Sequence, residues 1–211
     1  SPGATGGALK CMMQAGFKPV HMTLFRFAFA IPTEDINWGI LVNPQTCRRF
    51  INEHNNNDRQ GLGLAILAER RKLKPGQQAI LIYDQTGVDS YHDKQRLHLS
   101  LEAKNGTEGT IWKFDTLAAL AARFEMDLTR LEATITEYNA NMAKDQDAFG
   151  KPKSVVGKAT AIGKAPYYAM YLNPRYNYSQ GGALISPRAE ALDVISQQPI
   201  PGAFVCGEAA A

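Results

Sequence analysis

The sequence predicts an α+β fold, because it contains clear helix patterns and clear strand patterns without any visible internal repeat. In residues 59–71, and again after Asp127, apolar side chains recur every three to four positions, as they do on one face of a helix. Residues 78–83 and 167–172 are instead short apolar runs of strand length. With 211 residues, the chain is long enough for one large domain or for one domain and parts of another.

The first quarter of the chain predicts a helix, a long strand and a hairpin. Residues 4–15 have the pattern of a helix that Thr5 caps and Gly16 ends. Residues 20–29 form a long apolar and aromatic run, which we interpret as one strand. Residues 38–51 contain two short runs around an Asn-Pro-Gln-Thr turn, and this arrangement predicts a hairpin.

The middle of the chain predicts a central strand, a long helix and a surface segment. Residues 78–83 are nearly all apolar, which indicates a strand in the middle of a sheet. A helix is expected to begin near Asp127, with an apolar stripe that packs in a core. The stripe consists of Leu128, Leu131, Ile135, Tyr138 and Met142. Residues 143–165 are rich in Lys, Gly and Asp, and we expect them to form an excursion on the surface.

Composition and charge exclude several classes of partner. The formal net charge is +3, and no dense Lys/Arg run with interleaved aromatic residues is present, so we expect no nucleic acid partner. No apolar run approaches 18 residues, so we expect no membrane span in this chain. Cys11, Cys47 and Cys206 are far apart, and the four histidines form no metal-binding motif, so we expect neither a disulfide framework nor a metal site.

The last dozen residues carry the most informative local pattern. A Pro-Gly turn at 201–202 precedes a short apolar run that ends on Gly207 and Glu208. A strand that delivers this pair at its carboxyl end can present a backbone and a carboxylate to a nucleotide sugar or a flavin side chain. The alternative is an ordinary turn before a buried strand.

Several short motifs in fixed order resemble one family. They are GATGGA (3–8), WGILVN (38–43), RFINE (49–53), the DR…AIL helix start (58–67), APYYA (165–169), GG (181–182), PIPG (199–202) and GE (207–208). Their order over nearly the whole chain resembles the fumarate reductase/succinate dehydrogenase-type flavoproteins. Within that family, the chain is similar to the soluble branch of flavocytochrome c fumarate reductases, urocanate reductase and 3-ketosteroid dehydrogenases.

This resemblance implies FAD as the cofactor and a capping domain inserted into a Rossmann-like FAD-binding lobe. Residues 1–24 would end the first segment of the FAD lobe, residues 25–176 would form the capping or substrate domain, and residues 177–211 would begin the second segment. The dinucleotide fingerprint GxGxxG is absent from the sequence. We therefore expect a piece of a larger flavoenzyme, truncated at both ends.

Arg59 is the first candidate for catalysis. It stands at the predicted start of a helix, where its positive charge opposes the helix dipole, so its presence there needs another reason. By resemblance, it would donate a proton to the substrate, while Thr33 and Glu34 would lie near the substrate. The alternatives are a surface arginine paired with Glu53 or Asp58, and a turn or helix cap at Thr33 and Glu34.

Tyr178 is the second candidate. It stands where the fumarate reductases have a histidine that binds a substrate carboxylate, and a second expected histidine is also missing. A phenol can donate a hydrogen bond or act as an acid or base, so the resemblance implies a substrate that is less anionic or bulkier than fumarate. The alternative is a tyrosine packed in a turn.

Gly181, Gly182, Gly207 and Glu208 are the candidates for contact with FAD. Glycine lets the backbone approach a ring closely, and a carboxylate can accept hydrogen bonds from ribityl or ribose hydroxyls. The alternatives are turn chemistry for the glycines and an exposed carboxylate for Glu208.

Three functions remain open from the sequence. The first is an FAD-dependent oxidoreductase that reduces or forms a C=C bond next to a carboxylate or carbonyl, in an unsaturated acid or an enone, with an unidentified electron donor or acceptor. The second is a ketosteroid dehydrogenase-like desaturation, with Tyr178 as the base and Arg59 in a structural role. The third is a binding module without catalysis, derived from the cap.

Overall fold

The computed structural model describes residues 5–54, 59–103 and 109–211 and contains both helices and strands, as expected for the α+β class. The helices are α1 (Gly7–Gln14), α2 (Thr33–Ile36), α3 (Arg59–Arg70), α4 (Gln85–Asp89), α5 (Lys94–Glu102), α6 (Leu117–Arg123) and α7 (Leu128–Ala143), with 3₁₀ turns at Lys153–Val155 and Gly207–Ala209. The strands are β1 (Pro19–Val20), β2 (Phe25–Ala28), β3 (Ile40–Val42), β4 (Ile80–Tyr83), β5 (Trp112–Phe114), β6 (Tyr167–Tyr171), β7 (Arg175–Ser179), β8 (Gly182–Ala183), β9 (Glu190–Leu192) and β10 (Pro199–Phe204). Within these ranges, no helix combines the length and the apolar character that crossing a membrane requires.

The chain divides into two compact units. The terminal unit contains the described residues up to Phe27 together with Tyr176–Ala211, and the central unit contains Ala28–Arg175. The chain passes from one unit to the other in β2 and β7, which pair in a two-stranded sheet. The assignment of an FAD lobe and a cap to parts of the chain stays a prediction.

The central unit is built on an antiparallel sheet with strand order β3-β4-β6-β5. Strand β4 is central and fully buried, as its apolar sequence predicts. Side chains alternate between two cores, since Ile82 belongs to the core that includes α6 and α7, while Leu81 belongs to the core that includes α3 and α5. The sheet is therefore covered by helices on both faces.

Helix α7 packs as its apolar stripe predicts. Four stripe residues are buried, and Leu128 packs against the same core. The buried residues are Leu131, Ile135, Tyr138 and Met142. Asp127 caps the helix, because its carboxylate accepts a hydrogen bond from the backbone N–H of Arg130.

Two expectations in the central unit need refinement. Most of residues 143–165 are exposed, as a surface excursion predicts, but Lys151, Val156 and Ile162 are buried and anchor the segment. The ammonium of Lys151 is satisfied in the interior by the backbone carbonyl of Gly39, at 2.8 Å. The predicted hairpin at 38–51 pairs by a single bridge between Val42 and Arg49 rather than by a second strand.

The terminal unit has short strands and a small core. Strand β1 pairs with β8, and β9 pairs with β10. Its buried apolar core consists of Ala183, Ala191 and Val205, with α1 packing through Met12. These elements position the segments at 177–180 and 207–210, which line a cavity.

Two expectations in the terminal unit also need correction. The predicted strand at 20–29 is broken, because His21 has a φ of 56° and the N–H of Leu24 bonds back to its carbonyl in a turn. Thr5 does not cap α1, since the N-cap residue is Gly6 and no side chain accepts a hydrogen bond there. Gly16 ends the helix with a φ of 87°, as expected.

Candidate functional site

In the central unit, the structure brings Arg59 together with Glu34. Arg59 is the first residue of α3, and Glu34 belongs to the short helix α2. The guanidinium Nη2 lies 3.8 Å from the carboxylate Oε1, and the two side chains are 46% and 52% exposed. An ion pair therefore accounts for an arginine at a position that the helix dipole disfavours.

The alternative partners of Arg59 are not supported by the described residues. Glu53 is fully buried and pairs with Arg49 and Lys151 instead. Asp58 lies outside the described residues. Glu34 is therefore the acidic residue that the structure places beside Arg59.

Thr33 and Glu34 occupy different environments, although they are neighbours in α2. Thr33 is buried, whereas the Glu34 side chain is half exposed. The N-cap position of α2 is Pro32, and no side chain caps the helix. The interpretation of Thr33 as a capping residue is therefore wrong, and contact of Thr33 and Glu34 with the substrate stays a prediction.

The next residue, Asp35, is a buried carboxylate that anchors α2. Its Oδ1 accepts hydrogen bonds from the indole N–H of Trp38 at 3.1 Å and from the backbone N–H of His92 at 2.8 Å, and it lies 3.0 Å from the His92 Nδ1. The hydroxyl of Tyr83 donates to the backbone carbonyl of Asp35. These bonds fix the helix that carries Glu34. No sequence signal singles out Asp35, because two of the residues that bond to it, His92 and Tyr83, are distant in the chain.

A buried charge network surrounds Glu53 in the central unit. Glu53 accepts hydrogen bonds from the guanidinium of Arg49 and from the backbone N–H of Leu41, and its carboxylate lies 3.3 Å from the ammonium of Lys151. Arg49 also donates to Asp147. Burial by itself raises the pKa of Glu53, but Lys151 and Arg49 more than offset this effect, so the pKa lies below its ordinary value.

In the terminal unit, Tyr178 borders an open cavity of about 620 Å³, lined by residues 177–180, by Gly207 and Glu208, and by Ala210. Tyr178 lies in strand β7 and is 37% exposed, so it is not a tyrosine packed in a turn. Its phenol oxygen accepts a hydrogen bond from the guanidinium Nη1 of Arg26, at 3.1 Å. Sequence reasoning missed Arg26, although a lone cation between Phe25 and Phe27 is an unusual feature of an apolar run.

Glu208 is the carboxylate at this cavity. It lies in the 3₁₀ turn after β10 and is exposed, and it has no hydrogen-bond or ion-pair partner within residues 5–54, 59–103 and 109–211. Gly207 precedes it with a φ of 68°, which favours glycine. A carboxylate without a partner at an open cavity can accept hydrogen bonds from the hydroxyls of the ribityl or ribose part of FAD.

Gly181 and Gly182 are buried, and protein packing already explains their lack of a side chain. A Cβ atom at Gly182 would lie 2.6 Å from the carbonyl oxygen of Ala209, and one at Gly181 would lie 2.9 Å from the Cα of Met22. Both distances are too short for a real Cβ atom. Contact of these glycines with FAD stays a prediction.

Comparison with known proteins identifies the family. The chain matches the model of the FAD binding domain over residues 4–211. It is 31% identical to the acrylate reductase flavoprotein subunit of Shewanella woodyi, covering 99% of this chain and 42% of that protein. It is also 31% identical to the fumarate reductase (cytochrome) of Shewanella frigidimarina, covering 96% of this chain and 32% of that protein.

The fold agrees with this assignment. The structure of 3-ketosteroid delta1-dehydrogenase from Sterolibacterium denitrificans superposes with a TM-score of 0.72 at 22% identity, over 100% of this chain and 42% of that one. The chain thus spans between about a third and two-fifths of the length of these proteins. The chain belongs to the FAD binding domain family of flavoproteins, and its cofactor is FAD.

Proposed function

We propose that the full-length protein is an FAD-dependent oxidoreductase that reduces a C=C bond next to a carboxylate or a carbonyl. The observation that carries the proposal is the pairing of Arg59 with Glu34 at 3.8 Å, because the resemblance implies that both residues lie near the substrate. When bound, FAD supplies the hydride for such a reduction. In this proposal, the central unit is the cap and the terminal unit belongs to the FAD lobe.

Arg59 holds the proton that the substrate receives. A guanidinium normally stays protonated, so it can act as an acid only if a neighbouring group returns the proton to it. We assign this role to Glu34, because its carboxylate is the ion-pair partner of Arg59. Thr33, which is buried at the start of α2, binds the substrate through its hydroxyl and fixes the position of Glu34.

The terminal unit supplies the other proposed contacts. Tyr178 donates a hydrogen bond to a carbonyl or carboxylate oxygen of the substrate from the edge of the cavity. Glu208 accepts hydrogen bonds from FAD hydroxyls, and Gly207 lets the backbone turn there. Gly181 and Gly182 are further proposed FAD contacts.

The proposal is tested by the oxidation of a chemically reduced viologen dye, catalysed by the full-length protein. Acrylate, fumarate and urocanate serve as electron acceptors, and the flavin absorbance gives the amount of loaded protein. We expect dye oxidation with at least one unsaturated acid and none with its saturated counterpart. A flavin-free protein, or a flavoprotein inactive with every unsaturated acid and enone, would contradict the proposal.

A second candidate function is desaturation of a ketone, with Tyr178 as the base. The observation that favours it is the hydrogen bond from Arg26 to the phenol oxygen, because this bond fixes the position of the proposed base. This function predicts reduction of an electron-accepting dye by a saturated ketosteroid. It also predicts that Tyr178→Phe abolishes turnover while Arg59→Lys does not.

A further inference from the structure

Arg26 differs from Arg49 and Arg59, because its observed hydrogen-bond partner is neutral. Arg49 pairs with Glu53 and Asp147, and Arg59 pairs with Glu34, whereas Arg26 donates to the hydroxyl of Tyr178. Among the described residues, no carboxylate forms an ion pair with Arg26. Within the described residues, its positive charge therefore has no compensating carboxylate and is available to an anion.

The geometry of the hydrogen bond also leaves Tyr178 with a free donor. A phenol oxygen that accepts from a guanidinium must direct its own O–H elsewhere. No second partner of the Tyr178 hydroxyl occurs in the part of the chain that the structure describes. Arg26 also keeps further N–H groups, since a guanidinium carries five. Tyr178 lines the cavity, and Arg26 does not line it but bonds to Tyr178, so the pair offers adjacent N–H and O–H donors next to this lining residue.

Two adjacent donors, one of them charged, match the two oxygens of a carboxylate. We propose that Arg26 and Tyr178 bind the carboxylate of the substrate, and that the substrate is an unsaturated monocarboxylic acid. The inference rests on the proposed function and names its substrate class. Arg26 then replaces the positive charge that a histidine at position 178 would supply.

The same cavity disfavours a second substrate carboxylate. Glu208 lines it with an exposed and unpaired carboxylate, and like charges in one site repel each other. One guanidinium and one opposing carboxylate therefore select an acid with a single negative charge over a dicarboxylate.

The ring contacts of the same strand pair keep the two residues in register. The ring of Tyr176 lies 4.8 Å from that of Phe25 and 5.7 Å from that of Phe27, between ring centroids. Aromatic pairs at such distances stabilise a strand pair beyond the area that they bury. They hold β2 beside β7 on both sides of Arg26, so the donor pair is preorganised.

The test is equilibrium binding of unsaturated acids and their neutral amides to the oxidised full-length protein, measured by calorimetry. The probes are crotonate and cinnamate, with crotonamide and cinnamamide as neutral counterparts. Charged hydrogen bonds of this kind predict that Arg26→Met weakens binding of the acid about 10- to 100-fold and leaves the amide unchanged. Arg26→Lys keeps the positive charge, so its affinity for the acid should lie between those of the wild type and Arg26→Met. Tyr178→Phe should weaken acid binding less than Arg26→Met does.

A matched control is available in the same unit. Arg188 is exposed and, among the described residues, bonds to Ser186 and to no residue that lines the cavity, so Arg188→Met removes one positive charge and should leave acid binding unchanged. The inference is overturned if the wild type binds no acid more tightly than its amide. It is also overturned if Arg26→Met weakens acid and amide equally, or if Arg188→Met acts like Arg26→Met.

The phosphates of FAD are anions that could also bind the guanidinium of Arg26. Flavin content is therefore measured for every variant. Loss of FAD from Arg26→Met, with acid binding unchanged in the remaining flavoprotein, would assign Arg26 to the cofactor and overturn the inference. Binding that is selective for the acid, without any dye oxidation, would support the carboxylate site and contradict the proposed reaction. The two failures are therefore distinguishable.

Discussion

The central unit and the terminal unit differ in how much apolar surface they bury. Both faces of the sheet in the central unit are covered by helices, and the strand β4 is buried throughout. The buried core of the terminal unit contains three apolar residues, while Tyr176, Ile195 and Phe204 are 73%, 89% and 68% exposed. The central unit is therefore stabilised by its own packing, whereas the terminal unit depends on short strands and turns that leave an open cavity.

The same contrast separates two kinds of charge. The network around Glu53 is buried and has satisfied hydrogen bonds, so it supports the structure. The groups proposed for function, in particular Arg59, Glu34, Arg26 and Glu208, are exposed. Stability and the proposed function are therefore assigned to different charged residues, and this separation can be tested.

The largest effect on stability is expected at the buried network. Glu53→Gln leaves Arg49 and Lys151 in the interior without the carboxylate that compensates them, which should lower the free energy of unfolding by about 3–5 kcal/mol. Urea unfolding followed by tryptophan fluorescence measures this, since Trp38 and Trp112 both lie in the central unit. A loss below about 1 kcal/mol, the range of surface pairs, would contradict the structural role of the network.

A second prediction compares the two cores directly. Leu81→Ala opens a cavity beside the central sheet and should lower the free energy of unfolding by about 2–5 kcal/mol. Val205→Ala, in the small core of the terminal unit, should cost about 1–2 kcal/mol, because fewer apolar groups leave their packed environment. Hydrogen exchange can follow each unit separately. Equal losses of unfolding free energy at the two sites would contradict the proposed difference in packing between the two cores.

A third prediction concerns acid. The pKa of Asp147 is raised by burial but lowered further by Arg49 and by backbone N–H groups, so, like that of Glu53, it lies below its ordinary value in the folded protein. The stabilisation from both carboxylates is thus present above the ordinary carboxyl range and is lost as pH falls through their folded pKa values. Unfolding free energies measured from pH 7 to pH 3 should fall less steeply in Glu53→Gln than in the wild type. Parallel profiles would show that Glu53 does not contribute to the acid sensitivity.

The smallest effect on stability is expected at the exposed pair. Glu34→Gln breaks an ion pair between half-exposed side chains, which should change the free energy of unfolding by less than about 1 kcal/mol. Turnover should nevertheless fall, since Glu34 is proposed to return the proton to Arg59. An exposed control is Asp93→Asn, which breaks the pair with Arg96 and should change neither quantity.

Local patterns predicted much of the central unit. The apolar run of β4 and the stripe of α7 depend on burial along one element, and both were predicted correctly. The burial of Lys151 could not be predicted, because its compensation comes from Gly39 and Glu53, which are distant in sequence. The break between β1 and β2 was missed for a related reason, since a positive φ at His21 is set by its surroundings and not by its residue type.

The candidate site shows the same limit. Local patterns and resemblance together selected Arg59, Glu34, Tyr178 and Glu208, and the structure showed which of them have neighbours. Their roles stay predictions. Arg26 was missed because its significance depends on a hydrogen bond to a residue at the other end of the chain.

The central claim is tested most directly by the turnover of Arg59→Lys in the full-length flavoprotein. With an unsaturated acid that the wild type reduces, we expect kcat to fall at least about 100-fold, in the range that general acid catalysis contributes. The free energy of unfolding and the acid affinity should stay close to those of the wild type, because Arg59 is half exposed. An Arg59→Lys variant that turns over at the wild-type rate would contradict the account.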